Sequence, residues 1–300
     1  MILVFGYLCG DNYGDEILAS IVEKQYPDSV RLSKENSLWQ HLKLIYKAEK
    51  IIAIGGLFQD LSSPLSPFYY SLVLFYSWLT KTEISILAQG IGPLSSPLSK
   101  LSSYFALRLA TNISVRDMAS SDLLQRLDLD HYYGSDLAWN LVEDYKKQKD
   151  TIEIDLPLAK NHLVLALRQL RPYEDYKELL EQVLASATEL PVMLLEMQPG
   201  DNDQVKELIG DREFIEIKAH DYKPEELIYL LAKSAKTIVS MRLHALILAH
   251  IAGLELKAIS YDPKLEQLQL QIHRFELDEL SRRASECLKS SNKETQAQLV

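Results

Sequence analysis

The sequence predicts an α/β protein built from two Rossmann-like, parallel-sheet domains that face each other across a cleft. Three observations lead to this prediction. Short apolar runs alternate with helical runs in both halves of the chain, as expected for successive β-α-β units. The alternation is interrupted at residues 143–161. The 300 residues are enough for two domains of about 150 each. We therefore assign residues 1–150 to an N-terminal domain and residues 151–300 to a C-terminal domain that includes a last helix.

In the first half, apolar runs predict strands and the segments between them predict helices. The strands are expected at residues 2–8, 50–54, 83–89, 112–116 and 132–135. The helices are expected at residues 15–25, 37–48, 67–80, 98–110 and 118–127. The longest apolar run, residues 68–79, is shorter than the roughly 20 residues that a membrane span needs. We expect a buried or half-buried helix there, and a helix that lies on a membrane surface is the alternative, because the run is rich in tyrosine and tryptophan.

The second half follows the polar segment 143–161, which contains Pro157 and a run of lysines and is the best candidate for a linker. A solvated loop within one domain is the alternative. Strands are then expected at residues 162–167, 192–196, 214–217, 237–240 and 256–260. Helices are expected at residues 173–187, 203–209, 224–233, 242–252 and 277–289.

The composition restricts the class of function. The net charge of −10 and the pI of about 5.3 argue against nucleic-acid binding, which needs a basic surface. Cys9 and Cys287 lie far apart and show no metal-ligand spacing, so we expect neither a disulfide framework nor a bound metal. Residues 1–6 lack the basic start of a signal peptide and read as a first strand. We therefore expect a cytoplasmic protein.

The turn after the first strand does not have the spacing of a dinucleotide-binding loop. Its glycines, Gly6, Gly10 and Gly14, lie four residues apart, which is not the GxGxxG pattern. Nearby carboxylates, including Asp15, would repel a pyrophosphate, which argues against a nicotinamide site. Asn12 and Asp15 are suited to binding sugar hydroxyls, and capping of the helix is the alternative.

Two further strands of the first half end in glycine-rich, polar segments. Residues 55–60 follow the second long strand and residues 89–93 follow the third. Because ligands of open α/β sheets bind at the carboxyl ends of the strands, we expect a ligand there. The candidate ligand-binding residues are Gly55, Gly56, Gln59, Asp60 and Gln89. Arg116 ends the next strand and is expected in the cleft, with a surface pair to Asp117 as the alternative.

In the second half, basic residues collect at predicted strand ends. Arg168 and Arg242 each follow a strand, and Lys264 follows the next one. Arg242 also opens a helix, whose backbone N–H groups favour anions, and His244 lies in the same first turn. A lone histidine is more often a core residue than a catalyst. Together, these groups indicate a transferase that acts on a small phosphorylated anion.

These motifs resemble those of the polysaccharide pyruvyltransferase family, in its bacterial cell-wall or exopolysaccharide branch. The resemblance extends from about residue 5 to about residue 270, with the motifs in the same order. They are Asn12-Tyr-Gly-Asp-Glu16, Ala88-Gln-Gly-Ile-Gly-Pro93, Ser114-Val-Arg-Asp117, Val239-Ser-Met-Arg-Leu-His-Ala-Leu246 and Ile259-Ser-Tyr-Asp-Pro-Lys264. The segment Gly55-Gly-Leu-Phe-Gln-Asp60 departs from the family, which often has a longer GGGSLLQD-type segment.

The resemblance implies a GT-B-like fold and transfer of a pyruvyl group from phosphoenolpyruvate to two hydroxyls of a sugar. The products are a cyclic ketal and phosphate, and no cofactor is implied. It implicates Arg116, Arg242, His244 and Lys264 in catalysis or donor binding. The N-terminal domain is expected to hold the acceptor, which is often lipid-linked in the family and would place the protein near the inner membrane.

The chemistry assigns roles to these residues. Phosphoenolpyruvate is a small anion that needs cations, and its methylene carbon must be protonated. We expect Arg116, Arg242 and Lys264 to bind the donor and assist phosphate departure, and His244 to move a proton as acid or base. A GT-B-type glycosyltransferase that uses a nucleotide sugar is the main alternative function. A non-catalytic sugar-binding protein is a weaker one.

Overall fold

The computed structural model describes most of the chain. The described residues are 1–8, 10–32, 37–60, 63, 65–154, 161–168, 177–178, 181–182, 184–185, 190–260 and 263–291. Among them, no helix is both long enough and apolar enough to cross a membrane.

Strands and helices alternate along the described chain. The strands are β1 (Ile2–Phe5), β2 (Val30–Arg31), β3 (Lys50–Ala53), β4 (Glu83–Gln89), β5 (Asn112–Val115), β6 (Tyr132–Tyr133), β7 (His162–Ala166), β8 (Val192–Glu196), β9 (Phe214–Lys218), β10 (Ala235–Ser240) and β11 (Glu255–Ala258). The helices are α1 (Tyr13–Gln25), α2 (Leu38–Lys47), α3 (Leu65–Leu79), α4 (Pro97–Leu109), α5 (Met118–Arg126), α6 (Leu141–Gln148), α7 (Asp203–Ile209), α8 (Pro224–Ser234), α9 (Leu243–Ile251), α10 (Pro263–Arg274) and α11 (Leu277–Lys289). Short 3-10 turns cover Leu137–Asn140 and Ala219–Asp221.

The chain forms two compact units. Unit 1 contains residues 1–10 and 15–140 together with the described residues from Glu266 onward. Unit 2 contains Asp11–Gly14 and Leu141–Leu265. The first turn of α1 therefore begins in unit 2, although the rest of that helix belongs to unit 1.

Unit 1 is organised around a six-stranded parallel sheet in the order β2-β1-β3-β4-β5-β6. Its strands read as continuous apolar runs because both faces of the sheet are covered. Leu3, Ile51, Ile52 and Ile86 are fully buried. Burial of each such side chain stabilises the fold by about 1.5–3 kcal/mol.

Unit 2 is organised around a five-stranded parallel sheet in the order β11-β10-β7-β8-β9. Leu165, Leu194 and Val239, on its three central strands, are buried together in one apolar cluster. Helix α9, which follows β10, is apolar on almost every side and is buried from Ala245 to Ala249. A helix of this composition belongs in a protein core.

The predicted fold class is confirmed: both units are parallel α/β sheets, and the predicted strands in the described chain are present with somewhat different ends. The predicted helix at 173–187 lies largely outside the described residues. Three elements were not predicted: β2, α6 and α10. Strand β2 is too short to show a pattern. Helix α6 begins at Leu141 and continues into the segment 143–161, which was interpreted as a linker because it is strongly polar.

The predicted division of the chain at residue 150 does not account for the last helices, which pack in unit 1. Helix α11 was assigned to the C-terminal domain, but it belongs to unit 1. Hydrogen bonds attach α11 to the chain around β6. Ser135 Oγ donates to Leu280 O at 2.6 Å, and Arg283 Nη2 donates to Tyr133 O at 2.9 Å. The amphipathic pattern of α11 shows that one side of the helix is buried, but it does not show against which domain.

Candidate functional site

The carboxyl edge of the unit 2 sheet brings together the basic residues that the sequence singled out. Ser240 at the end of β10 is in register with Ala166 of β7 on one side and with Ala258 of β11 on the other. Arg168 and Arg242 each follow their strand by two residues, so they emerge from neighbouring strands at the same edge.

Arg242 forms the N-cap of α9 and is held by an ion pair. Its Nη2 atom donates to an Asp201 carboxylate oxygen and, at 3.1 Å, to Gln198 Oε1. The Asp201 side chain is only 4% exposed and that of Arg242 is 12% exposed. The Arg242 backbone N–H also donates to Ser240 Oγ at 2.9 Å, which fixes the turn from β10 into α9. The guanidinium therefore has a fixed direction.

Asp201 lies in a strongly desolvated position. Burial raises the pKa of its carboxyl group, and the Arg242 cation opposes that rise. The charge of Arg168 acts in the same direction as that of Arg242. Asp201 is thus the acidic partner of Arg242, and neither it nor Gln198 was predicted. The only sequence signal was their position just after β8.

His244 lies in the first turn of α9, half-buried, against Gly14. A Cβ atom added to Gly14 would come within 2.7 Å of His244 Cγ and closer still to Nδ1, which no real side chain tolerates. Glycine is therefore required at position 14 because of this imidazole. No sequence pattern indicates this pair, since the two residues are 230 positions apart.

The start of α1 is fixed to the rest of unit 2 by several hydrogen bonds. Asn12 Oδ1 accepts from the Gly14 N–H at 3.1 Å, which is a capping contact. The Tyr13 N–H donates to Met197 O at 2.9 Å, and its hydroxyl donates to Tyr222 O at 2.8 Å. Burial, followed by the nearby acidic side chains of α8, raises the pKa of Tyr13, so this hydroxyl remains a donor. Asn12 is thus placed beside the His244 turn.

Lys264 is the second residue of α10 and is half-buried in unit 2. It follows β11, the edge strand next to β10. Tyr261 and Asp262, which belong to the same motif, lie outside the described residues.

In unit 1, the glycine-rich ends of β3 and β4 are joined by Gln89. This side chain is fully buried, and its Nε2 atom donates to Gly55 O and, at 3.2 Å, to Gly90 O. Gly55 has φ +82°, a conformation that favours glycine. Ala88, just before Gln89, has φ +46°, which is strained for a residue with a Cβ atom and is frequent at functional sites.

Gln59 and Asp15 approach these glycines. The Gln59 amide lies over Gly56, 3.1 Å from where a Cβ atom would stand. Asp15 Oδ1 lies 3.2 Å from the corresponding position on Gly55. Four predicted residues, Asp15, Gly55, Gly56 and Gln59, are therefore neighbours at one edge of the unit 1 sheet.

Asp60 has a structural task in the same region. Its carboxylate accepts the Ser95 N–H at 2.8 Å and the Ser96 N–H at 2.9 Å, just ahead of α4. Partial burial raises the pKa of Asp60, but the bonds donated by Ser96 and Ser95 outweigh it, so the pKa lies below its ordinary value. The carboxylate therefore fixes the loop that leads into α4.

Arg116 at the end of β5 is buried with an acidic partner. Its Nη1 atom donates to Asp136 Oδ2 at 2.8 Å, and the guanidinium lies against Gly90. The alternative, a surface pair with Asp117, does not hold, because Arg116 is buried and Asp117 caps α5 by accepting the Ser120 N–H at 2.8 Å. Asp136 was not predicted, since twenty residues separate it from Arg116.

The predicted residues thus fall into two groups. The unit 2 group contains Asn12, Arg168, Arg242, His244 and Lys264, and the structure adds Gly14, Gln198 and Asp201. The unit 1 group contains Asp15, Gly55, Gly56, Gln59, Asp60, Gln89 and Arg116, and the structure adds Asp136.

Solved structures of similar fold include two epimerases that act on nucleotide sugars. UDP-GlcNAc 2-epimerase from Neisseria meningitidis, bound to UDP-GlcNAc, has a TM-score of 0.59 and 13% identity, covering 90% of this chain and 85% of that chain. UDP-N-acetylglucosamine 2-epimerase from Rickettsia bellii has a TM-score of 0.58 and 10% identity, covering 97% and 94%. At these identities the likeness shows the fold alone: a two-domain, GT-B-like α/β protein.

The amino-acid sequence identifies the family within this fold class. The polysaccharide pyruvyl transferase family matches residues 12–263, which span both units. The chain therefore belongs to the polysaccharide pyruvyl transferase family and is an enzyme of the transferase class. No curated protein matches the chain significantly.

Proposed function

We propose that this protein transfers a pyruvyl group from phosphoenolpyruvate to two hydroxyls of a sugar in a cell-wall or exopolysaccharide unit. The observation that supports the proposal most is the group at the start of α9. There, Arg242 caps the helix, His244 lies in its first turn, and Arg168 emerges from the adjacent strand. Cations and helix N–H groups at one edge suit a donor that carries both a carboxylate and a phosphate.

The proposed reaction consists of one addition and one displacement. A proton is added to the methylene carbon of phosphoenolpyruvate, and a sugar hydroxyl attacks the neighbouring carbon, which bears the phosphate. A second hydroxyl of the same sugar then displaces phosphate and closes the cyclic ketal. The two hydroxyl protons balance the reaction: one equivalent converts the methylene to a methyl group and one leaves with phosphate.

The residues have distinct proposed roles. Arg242, held by Asp201, and Arg168 bind the anionic donor, and Lys264 and Arg116 assist the departure of phosphate. His244 moves the proton, and Gly14 leaves room for its ring. The polar residues of the unit 1 group and Asn12 bind the saccharide acceptor. The proposal needs neither a metal nor a cofactor, and the cytoplasm is the expected compartment.

The proposal is tested by phosphate release from phosphoenolpyruvate in the presence of candidate saccharide acceptors. We expect His244→Ala to lower the rate at least about a hundredfold, as for loss of a general acid or base. His250→Ala is the matched control, because His250 lies in the same helix but outside its first turn. Turnover of a nucleotide sugar instead of phosphoenolpyruvate would overturn the proposal.

Gly14→Ala provides a second test that leaves every proposed catalytic group in place. The added methyl group collides with the His244 ring, so we expect a loss of at least about tenfold in rate, as for a misplaced catalytic group. In a His244→Ala background the collision is absent. There, Gly14→Ala should change the residual rate little, and an equal loss in both backgrounds would contradict the placement of His244.

A further inference from the structure

The outer side of helices α3 and α4 in unit 1 is unusually apolar for a surface. The two helices pack against each other, and they connect the successive strands β3, β4 and β5, which places them on one side of the sheet. Side chains such as Tyr70 and Leu74 are buried beneath them. The large apolar side chains exposed on these two helices include Tyr69, Leu72, Phe75, Trp78, Leu101 and Phe105. We call these six residues the outer apolar face.

This face is rich in aromatic groups and forms a continuous stripe along α3. Tyr69, Leu72 and Phe75 follow one another at helical spacing, and the Phe75 and Trp78 rings stack with centroids 5.8 Å apart. Trp78 is 51% exposed and Phe105 is 58% exposed. On the neighbouring helix α2, which contacts α3, Trp39 is 81% exposed. Exposed apolar surface of this extent marks an interaction site.

The charged side chains of the three helices α2, α3 and α4 are all of one sign. The segments 37–48, 65–82 and 94–111, which contain α2, α3 and α4, carry no aspartate or glutamate, although the whole chain has a net charge of −10. They carry five cations, all of which are exposed: Lys43, Lys47, Lys81, Lys100 and Arg108. Within these three segments, the first two of which end just before Glu49 and Glu83, every charged side chain is therefore positive, in a protein that is acidic as a whole.

This combination favours a lipid surface over a second copy of the chain. In a symmetric dimer the same patch meets itself, so the cations of each copy would face those of the other, and α2, α3 and α4 carry no acidic side chain to pair with them. An anionic bilayer supplies the missing negative charge, and tryptophan and tyrosine prefer the interface between headgroups and acyl chains. Because no described helix is suited to span a membrane, the contact would be peripheral.

We propose that unit 1 docks on the surface of an anionic lipid bilayer through the outer apolar face. The aromatic and leucine side chains of α3 and α4 enter the headgroup region, and the lysine and arginine side chains bind acidic headgroups. This inference goes beyond the proposed function, and its test requires no catalytic activity, so either can fail without the other.

Vesicle binding by the full chain tests the proposal, with tryptophan fluorescence as the readout. Trp39 and Trp78 are exposed in this region, whereas Trp139 is fully buried. We expect the protein to sediment with vesicles that contain phosphatidylglycerol, with a blue shift of emission, and to bind neutral phosphatidylcholine vesicles at least about tenfold more weakly. High salt should weaken binding to the anionic vesicles.

Two double variants distinguish the contribution of the apolar side chains to vesicle binding from that of the cations. Phe75→Ser with Trp78→Ser should lower vesicle affinity at least about tenfold, and so should Lys100→Glu with Arg108→Glu. Leu270→Ser is the matched control, because Leu270 is 60% exposed on α10 and lines a surface depression with Met118 and Tyr133. Circular dichroism and thermal melting verify that each variant is folded.

Three outcomes would overturn the proposal. The first is failure of the folded wild-type chain to bind anionic vesicles. The second is equal affinity for neutral and anionic vesicles. The third is a stable dimer in solution that Phe75→Ser with Trp78→Ser converts to a monomer, because the face would then be covered by a second copy.

Discussion

At the scale of single residues, the Arg242–Asp201 pair is the central feature of unit 2. The sequence placed Arg242 at a strand end, where a free cation would bind anions. The structure pairs it with a buried carboxylate, which holds the guanidinium in one direction. A buried pair of this kind adds little net stability, but removing one partner leaves the other charge uncompensated. The pair therefore fixes the direction of the Arg242 guanidinium and adds little to the stability of the unit.

This pair yields a stability prediction. Arg242→Gln leaves the Asp201 carboxylate buried without its main counter-charge, so we expect unit 2 to lose about 3 kcal/mol of unfolding free energy. Asp201→Asn in the same chain removes the buried charge and should restore part of the loss. Urea unfolding, followed through hydrogen exchange of the β7 and β10 amides, measures both variants.

Lys206→Gln is the comparison for an exposed ion pair. Lys206 pairs with Glu216 at 2.7 Å, but its side chain is 37% exposed, so its removal should cost less than about 1 kcal/mol. If Arg242→Gln lowers the unfolding free energy as little as this control does, the Arg242–Asp201 pair matters no more for stability than an exposed pair. If the losses of unfolding free energy from the Arg242 and Asp201 substitutions simply add in the double variant, the two side chains are not energetically coupled.

Gly14 is a second residue whose role depends on a distant partner. In an isolated helix, replacing glycine with alanine stabilises by about 1 kcal/mol. Here the His244 ring occupies the space that a methyl group would need, so the sign of the effect is reversed. A helix-propensity argument would therefore give the wrong answer at this position.

At the scale of elements, Asp60 links the end of β3 to the start of α4. Its carboxylate accepts the N–H groups of Ser95 and Ser96, while Ser96 Oγ itself caps α4 by accepting from the Ser99 N–H. Both carboxylate oxygens of Asp60 already lie within hydrogen-bond distance of backbone N–H donors. Its effect on stability is consequently predictable.

Asp60→Ala should lower the unfolding free energy of unit 1 by about 1 kcal/mol at neutral pH, as for loss of a helix-capping carboxylate. The pKa of Asp60 lies below its ordinary value of 3.8 in the folded chain. The stabilisation is therefore present above pH 3.8 and is lost as the pH falls through the lowered pKa. The urea midpoints of the wild type and the variant should therefore converge once the pH is below the lowered pKa of Asp60.

Asp122→Asn is the control for the pH dependence, since Asp122 is exposed on α5. This variant should follow the wild-type curve at every pH. A difference between Asp60→Ala and wild type that persists unchanged in acid would mean that the charge of Asp60 is not responsible.

At the scale of the whole molecule, α11 joins the unit that is formed mostly by the first half of the chain. Cys287 of α11 is fully buried beside Gly134, and a Cβ atom on that glycine would also come within 2.9 Å of Arg283 O. Gly134 allows the helix to lie close to the loop after β6. Unit 1 therefore depends on residues that lie more than 120 positions beyond the rest of it.

Cys287 reports on this arrangement. Burial raises the pKa of its thiol to about 12, so the thiol is protonated and shielded in the folded chain. In a Cys9→Ser chain at pH 8, we expect iodoacetamide to label Cys287 only when α11 leaves unit 1. Gly134→Ala, by crowding the helix at a cost of about 1–3 kcal/mol, should raise the labelling rate at least about fivefold.

Gly56→Ala is the matched control in unit 1, because its added methyl group meets only the flexible end of Gln59. It should leave the labelling rate of Cys287 unchanged. Rapid labelling of the folded wild-type chain would contradict the buried position of the thiol.

The sequence by itself determined the parallel α/β class, most strands and helices, and the strand-end motifs that identify the family. These features are local, since hydrophobic periodicity and glycine-rich turns act over a few residues. The tertiary structure alone decided the partners Asp201 for Arg242, Asp136 for Arg116 and Gly14 for His244, and the unit in which α11 packs. Each of these depends on contacts between distant parts of the chain, which no local pattern encodes.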